Sequence, residues 1–192
     1  MKYAPFLFGA ILLAGCGSKG KKLVVMSSGT LQLSGNAITI VPGTTHNELT
    51  QDFPSGSTTI SIAGFPAASS AEISDESGLY LLNLKSDTLV GSMQRFGESE
   101  GTTKISQDDL KKKVDSLQQL IVGQNISAAN KNYYILPGKA ALISANTSAK
   151  IYGPYVKTPS SVETGAEVYK FYTNKQMRET IDKLNKMMMA PE

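Results

Sequence analysis

Few residues of this chain have the type and spacing that chemistry requires. Its 192 residues include one cysteine, Cys16, and one histidine, His46. A Ser-His-acid triad would have to use His46, with Glu48 or Asp52 as the nearby acid. No Gly-x-Ser-x-Gly elbow accompanies it, and the Thr, Asn and Gly neighbours of His46 read as a solvated loop. Ser18-Lys19-Gly20-Lys21 is the single Ser-x-x-Lys, and it has no companion motif for a Ser-Lys hydrolase. One histidine cannot supply the two or three imidazoles of a zinc site, and no Asp-x-Asp-x-Asp-Gly calcium loop occurs. Asp75-Glu76 and Asp108-Asp109 are adjacent acids, but they read as turn and helix-start residues. Gly15 through Lys21 satisfies a GxGxxG and most of a Walker A loop, without the preceding strand that phosphate binding needs. The sequence therefore assigns no catalytic residue, no metal and no cofactor.

Two features remain. Tyr133, Tyr134, Tyr152, Tyr155, Tyr169 and Tyr172 are six of the chain's eight tyrosines, gathered within forty residues. Rings with a polar tip suit contact with a protein partner or stacking on a glycan, and they also suit the half-buried faces of a sheet. The other feature is the N-terminus. Met1-Lys2-Tyr3 is a basic start, and Phe6 through Ala14 form an apolar core far short of the ~20 residues of a membrane span.

Leu13-Ala14-Gly15-Cys16 then resembles the lipobox of bacterial lipoproteins. The resemblance covers residues 1–16 and implies diacylglyceryl transfer to the Cys16 thiol, cleavage before Cys16 and acylation of the new amine. Residues 1–15 would be the signal peptide, and residues 16–22 the lipidated cysteine with a basic tether reaching at most ~20 Å. With Cys16 lipidated, no thiol is left for a disulfide, a nucleophile or a metal. The absence of Asp after the cysteine, and the basic tail, imply an outer-membrane anchor with the body facing the periplasm.

Charge supports a body that meets something other than nucleic acid. Residues 1–22 hold four lysines and no acid, so the remaining 170 residues carry 15 basic and 16 acidic side chains, a net of −1. A near-neutral body lacks the basic footprint of a nucleic-acid binder. With 41% hydrophobic and 18% charged residues, the chain can bury a core and is not disordered throughout.

The elements that must position these residues follow from periodicity. From Leu23 to Phe96 the pattern is mainly β, with Leu23–Met26, Leu31–Leu33, Ile38–Val41 and Thr59–Ile62 as short strands and Pro42-Gly43 and Pro54-Ser55-Gly56 as turns. Leu79–Leu84 is apolar on nearly both faces and suggests a central strand. Gly97–Thr103 is a polar break between a β-rich part (23–96) and an α+β part (104–192), which are two domains or one continuous domain. Helices are predicted over 106–122, capped by Ser106, and over 174–189, capped by Thr173 with Gln176 three residues on. Leu110, Val114, Leu117 and Ile121 repeat at 4-3-4 spacing, as do Met177, Ile181, Leu184 and Met188. Tyr133–Leu136 and Lys139–Ile143 flank Pro137-Gly138 as a hairpin.

The predicted class is α+β: a mainly antiparallel sheet, sandwich-like in its N-terminal part, with two amphipathic helices. The expected role is a membrane-anchored envelope lipoprotein that binds or scaffolds an envelope protein or glycan. The alternative is a periplasmic glycan-binding or glycan-cleaving protein.

Overall fold

The computed structural model describes residues 20–94, 106–154 and 166–189. Cys16 and Tyr155 lie outside the described residues, as does the polar break at 97–103. The elements in chain order are β1 (Lys21–Ser34), β2 (Ala37–Phe53), β3 (Thr58–Ala63), β4 (Ser70–Ile73), β5 (Gly78–Leu84), β6 (Leu89–Gln94), α1 (Gln107–Ile121), β7 (Asn132–Ile135), β8 (Ala140–Ser144), β9 (Lys150–Tyr152), β10 (Val168–Thr173) and α2 (Asn174–Met189). The class is α+β.

Two sheets and a helix pair form three layers. A six-stranded sheet, ordered β4-β3-β2-β1-β5-β8, curls into a nearly closed barrel. Its interior is filled by Leu23, Val25, Ile38, Ile40, Ile60, Ile73, Tyr80 and Leu82. The opposite faces of β1 and β5 present Val24, Met26, Leu79 and Leu81 to the second sheet, ordered β7-β6-β10-β9. That sheet answers with Leu89, Ile135, Tyr169 and Phe171. Its far face carries Val90, Tyr134 and Tyr172 against Val114, Leu120 and Ile121 of α1 and Met177 and Ile181 of α2. Period-two alternation therefore divides each middle strand between two cores. All seven residues of β5 are buried, as a strand covered on both faces must be.

The sheets are mixed and not uniformly antiparallel. β1 pairs in parallel with β5, β2 with β3, and β9 with β10; the other five pairings are antiparallel. Alternation marks which residues point inward and carries no information about a neighbour's direction. The N-terminal part is likewise a curled sheet completed by β8 from the C-terminal half, not a sandwich of its own.

Two of the expected turns are something else. β1 and β2 form one long hairpin closed at Gly35-Asn36, where Gly35 takes φ +58° at the first central position. Pro42-Gly43 sits inside β2, at a break in register where Ser28 pairs with His46 but Gly29 pairs with Pro42. Residues 43–45 bulge out, and Gly29 (φ +103°) lies so close that a Cβ there would meet the Val41 carbonyl oxygen at 2.2 Å. Pro137-Gly138 is a corner between sheets: β7 pairs with β6, and β8 pairs with β5. Asn83, fully buried, holds this corner. Its side-chain amide donates to the carbonyls of Ile135 (2.8 Å) and Asp87 (2.9 Å), and its Oδ1 accepts from Lys85 N–H (2.9 Å). Its backbone bonds Lys139 and Gly138.

The helices follow their local signals. Ser106 Oγ accepts from Asp109 N–H at 3.1 Å, capping α1, and Gly123 N–H bonds the Leu120 carbonyl past its end. The salt bridge among the described residues of α1 is Lys112–Asp109, at i,i+3 and 3.9 Å. Thr173 and Gln176 make a reciprocal capping box at α2: Gln176 N–H to Thr173 Oγ1 at 3.2 Å and Thr173 N–H to Gln176 Oε1 at 2.9 Å. None of the described helices is long and apolar enough to cross a membrane.

Candidate functional site

The crowd of tyrosines divides because neighbours on a strand point to opposite faces. Tyr133 of β7 and Tyr169 of β10 face the inter-sheet layer and meet edge to face, centroids 5.8 Å apart at 79°. Tyr133 also lies 6.0 Å from the Phe171 ring. Tyr134 and Tyr172 turn the other way and pack beneath the helices, with the Lys170 ammonium 5.7 Å from the Tyr172 ring centroid. Tyr152 is half-buried on β9, in register with Lys170. Of the six, Tyr133 and Tyr169 line a cleft together.

That cleft, of about 570 Å³, opens where the end of β8 approaches the start of β10. Its apolar wall is Leu142, Ile143, Ala145 and Ala128. Its polar wall is Lys131, Ser144, Asn146 and Glu167. Lys131 Nζ donates to Glu167 Oε1 at 2.5 Å, while Ser144 Oγ donates to Glu167 Oε2 and accepts from Asn146 N–H at 3.0 Å. Tyr133 Oη donates to the Ile143 carbonyl. These donors set the titration of the group. The Lys131 hydrogen bond, then that of Ser144, holds the Glu167 carboxyl below its ordinary range against the opposing effect of burial. The same bond raises Lys131. Burial pushes both Tyr133 and Tyr169 up, with the Glu167 charge adding to it.

The cleft presents an ammonium, a carboxylate, an amide and two tyrosine edges beside an apolar wall. No family model, curated protein or solved structure matches this chain. The reading of the site therefore rests on its own geometry.

Sequence reasoning did not find Lys131, Ser144, Asn146 or Glu167. Lys131 and Glu167 are 36 residues apart, and no local pattern joins them. No local sequence signal marked them; that Lys131 takes φ +52°, uncommon for a non-glycine residue, is visible only in the structure.

His46 is not on a solvated loop. It belongs to β2, half-buried just after the bulge, and its Nε2 lies 2.7 Å from Glu48 Oε1 with Gly153 pressed against both. Nearby, Lys85 is 6% exposed and donates to the Ser27 carbonyl at 3.0 Å. Burial lowers its pKa, with the Glu48 charge working in the other direction. A depressed lysine beside a serine is a nucleophile arrangement in principle. Ser27, however, is fully buried, so no substrate can reach its hydroxyl. Among the described residues no group of His, Cys, Asp and Glu is placed to hold a metal ion.

Proposed function

We propose that this protein is a lipid-anchored lipoprotein of the bacterial envelope whose folded body is a non-enzymatic binding or scaffolding module. One observation carries the anchoring: the basic start, the apolar core and Leu13-Ala14-Gly15-Cys16 follow one another in the order an export and lipidation signal requires. Two or more acyl chains on one cysteine hold a protein durably, at ~0.8 kcal/mol per buried CH₂. The outer membrane, with the body in the periplasm, is the location that a non-acidic, lysine-bearing tail favours. The binding reading is supported by the open cleft, whose charged pair and tyrosine edges suit an envelope protein or a glycan.

Replacing Cys16 with Ala tests the anchor. The variant is expected to keep residues 1–15 and to incorporate no fatty acid, read by metabolic labelling and intact mass. Continued labelling would overturn the proposal. The binding arm places a photo-crosslinking residue at Ala145, on the cleft rim, in the lipidated protein. A discrete adduct with an envelope protein or glycan is expected there, and none when the same residue replaces Val41 on the barrel.

A further inference from the structure

The tether is shorter than its lysines suggest. Lys21 opens β1 and is only 2% exposed; its ammonium is enclosed by the carbonyl oxygens of Gly56 and Ser74 (3.0 Å) and by Thr58 Oγ1 (3.4 Å). Lys22 is already paired in the sheet with Asp52 on one side and Leu79 on the other. Both lysines therefore belong to the body. From Cys16 to Gly20 the chain has four Cα–Cα steps, at most ~14 Å when fully extended. Part of that reach is used in the interfacial layer, which is roughly 5–8 Å thick per leaflet.

We infer that the end of the barrel bearing Gly20, Lys21 and the turn at 54–57 is apposed to the headgroup layer of the membrane that holds Cys16, with the cleft opening at that same end. This rests on the lipidation proposed above.

Contour length decides the orientation. The β1–β5 ladder runs from the Lys21–Gly78 pair to the Ser27–Leu84 pair, six steps or ~20 Å. A body turned end over end would carry Gly20 farther from the bilayer than its tether can reach. The apposed surface suits the partner. Ser55, Gly56, Ser57 and Ser74 are exposed and small, and the exposed Asp75 and Glu76 follow Ser74, whose carbonyl binds the Lys21 ammonium, so this end offers a polar surface to a headgroup layer. The cleft shares this end because Lys21 pairs with Gly78, and the next residue of β5, Leu79, pairs with Ser144. Two inter-strand spacings, ~10 Å, separate the point where the tether enters from the cleft wall. A ligand of the cleft is then met in the plane of the membrane.

The chain's one thiol is consumed by lipidation, so an introduced cysteine is the sole site for a fluorophore. Ser55→Cys and Ala145→Cys report on the tethered end. Ser86→Cys reports on the opposite end, past Leu84. All three positions are exposed. Each lipidated, full-length variant is placed in vesicles of phosphatidylethanolamine and phosphatidylglycerol containing a headgroup-level spin-labelled lipid. Quenching is expected to be several-fold stronger at positions 55 and 145 than at 86. Equal quenching at the three positions, or the strongest at 86, in protein that floats with the vesicles overturns the orientation alone. Protein that carries no acyl chain and does not float overturns the anchor and the orientation together.

Discussion

At the scale of single residues, Glu167 has the most to do. It accepts from Lys131 and Ser144 and joins β10's approach to the end of β8. Its carboxyl is depressed in the folded state, so its stabilising effect is complete above the ordinary value of about 4.3 and is lost as pH falls through the depressed one. Glu167→Gln is therefore expected to lower stability near neutral pH by about 1–2 kcal/mol, a modest figure because the pair is partly screened by solvent. On acidification the gap to the parent protein should narrow, as read from urea midpoints across the acid range. A gap independent of pH would show that the carboxylate's charge is not what holds the cleft.

At the scale of elements, the caps and the corner differ in what they leave behind when broken. Ser106→Ala removes one exposed cap from α1 and is expected to cost about 1 kcal/mol. Asn83→Ala strips partners from the Ile135 and Asp87 carbonyls and the Lys85 N–H inside the protein. Each buried orphan costs about 1–3 kcal/mol, so the expected loss is roughly threefold that of the cap or more. Denaturation of the two variants side by side checks the ratio. This contrast also marks what could be read in advance. The capping residues of both helices stand in the sequence beside the helices they start. Pro137-Gly138 announces a change of direction just as plainly, yet whether the chain returns to pair with itself or crosses to another sheet depends on Asn83, over fifty residues earlier. Gly35-Asn36, the closure of the β1–β2 hairpin, has the residue types of a two-residue turn, and so does Pro42-Gly43, which lies in a bulge inside β2, because both features use the same residue types.

At the scale of the whole molecule, β5 links the layers. Leu82 points into the barrel and Leu81 into the inter-sheet core, and both are fully buried. Leu81→Ala and Leu82→Ala are each expected to cost about 2–5 kcal/mol. Strands from before residue 96 and after residue 104 occur in both sheets, so the described residues are expected to melt in a single calorimetric transition, lowered as a unit by either substitution. Two separable transitions, with only one displaced by Leu82→Ala, would show that the barrel and the sheet–helix layers fold apart.

What the sequence alone determined lies within a few residues' reach. The order of basic start, apolar core and Leu13-Ala14-Gly15-Cys16 is written in residues 1–16, and the helix caps, the apolar stripes and the double-faced Leu79–Leu84 strand arise from local sterics, local hydrogen bonds and side-chain periodicity. Which strands neighbour one another, in which direction they run, and the meeting of Lys131, Ser144 and Glu167 were decided by tertiary structure. Those contacts depend on how whole apolar faces are covered, and a covered face places the same demand on its own residues whichever strand supplies the cover.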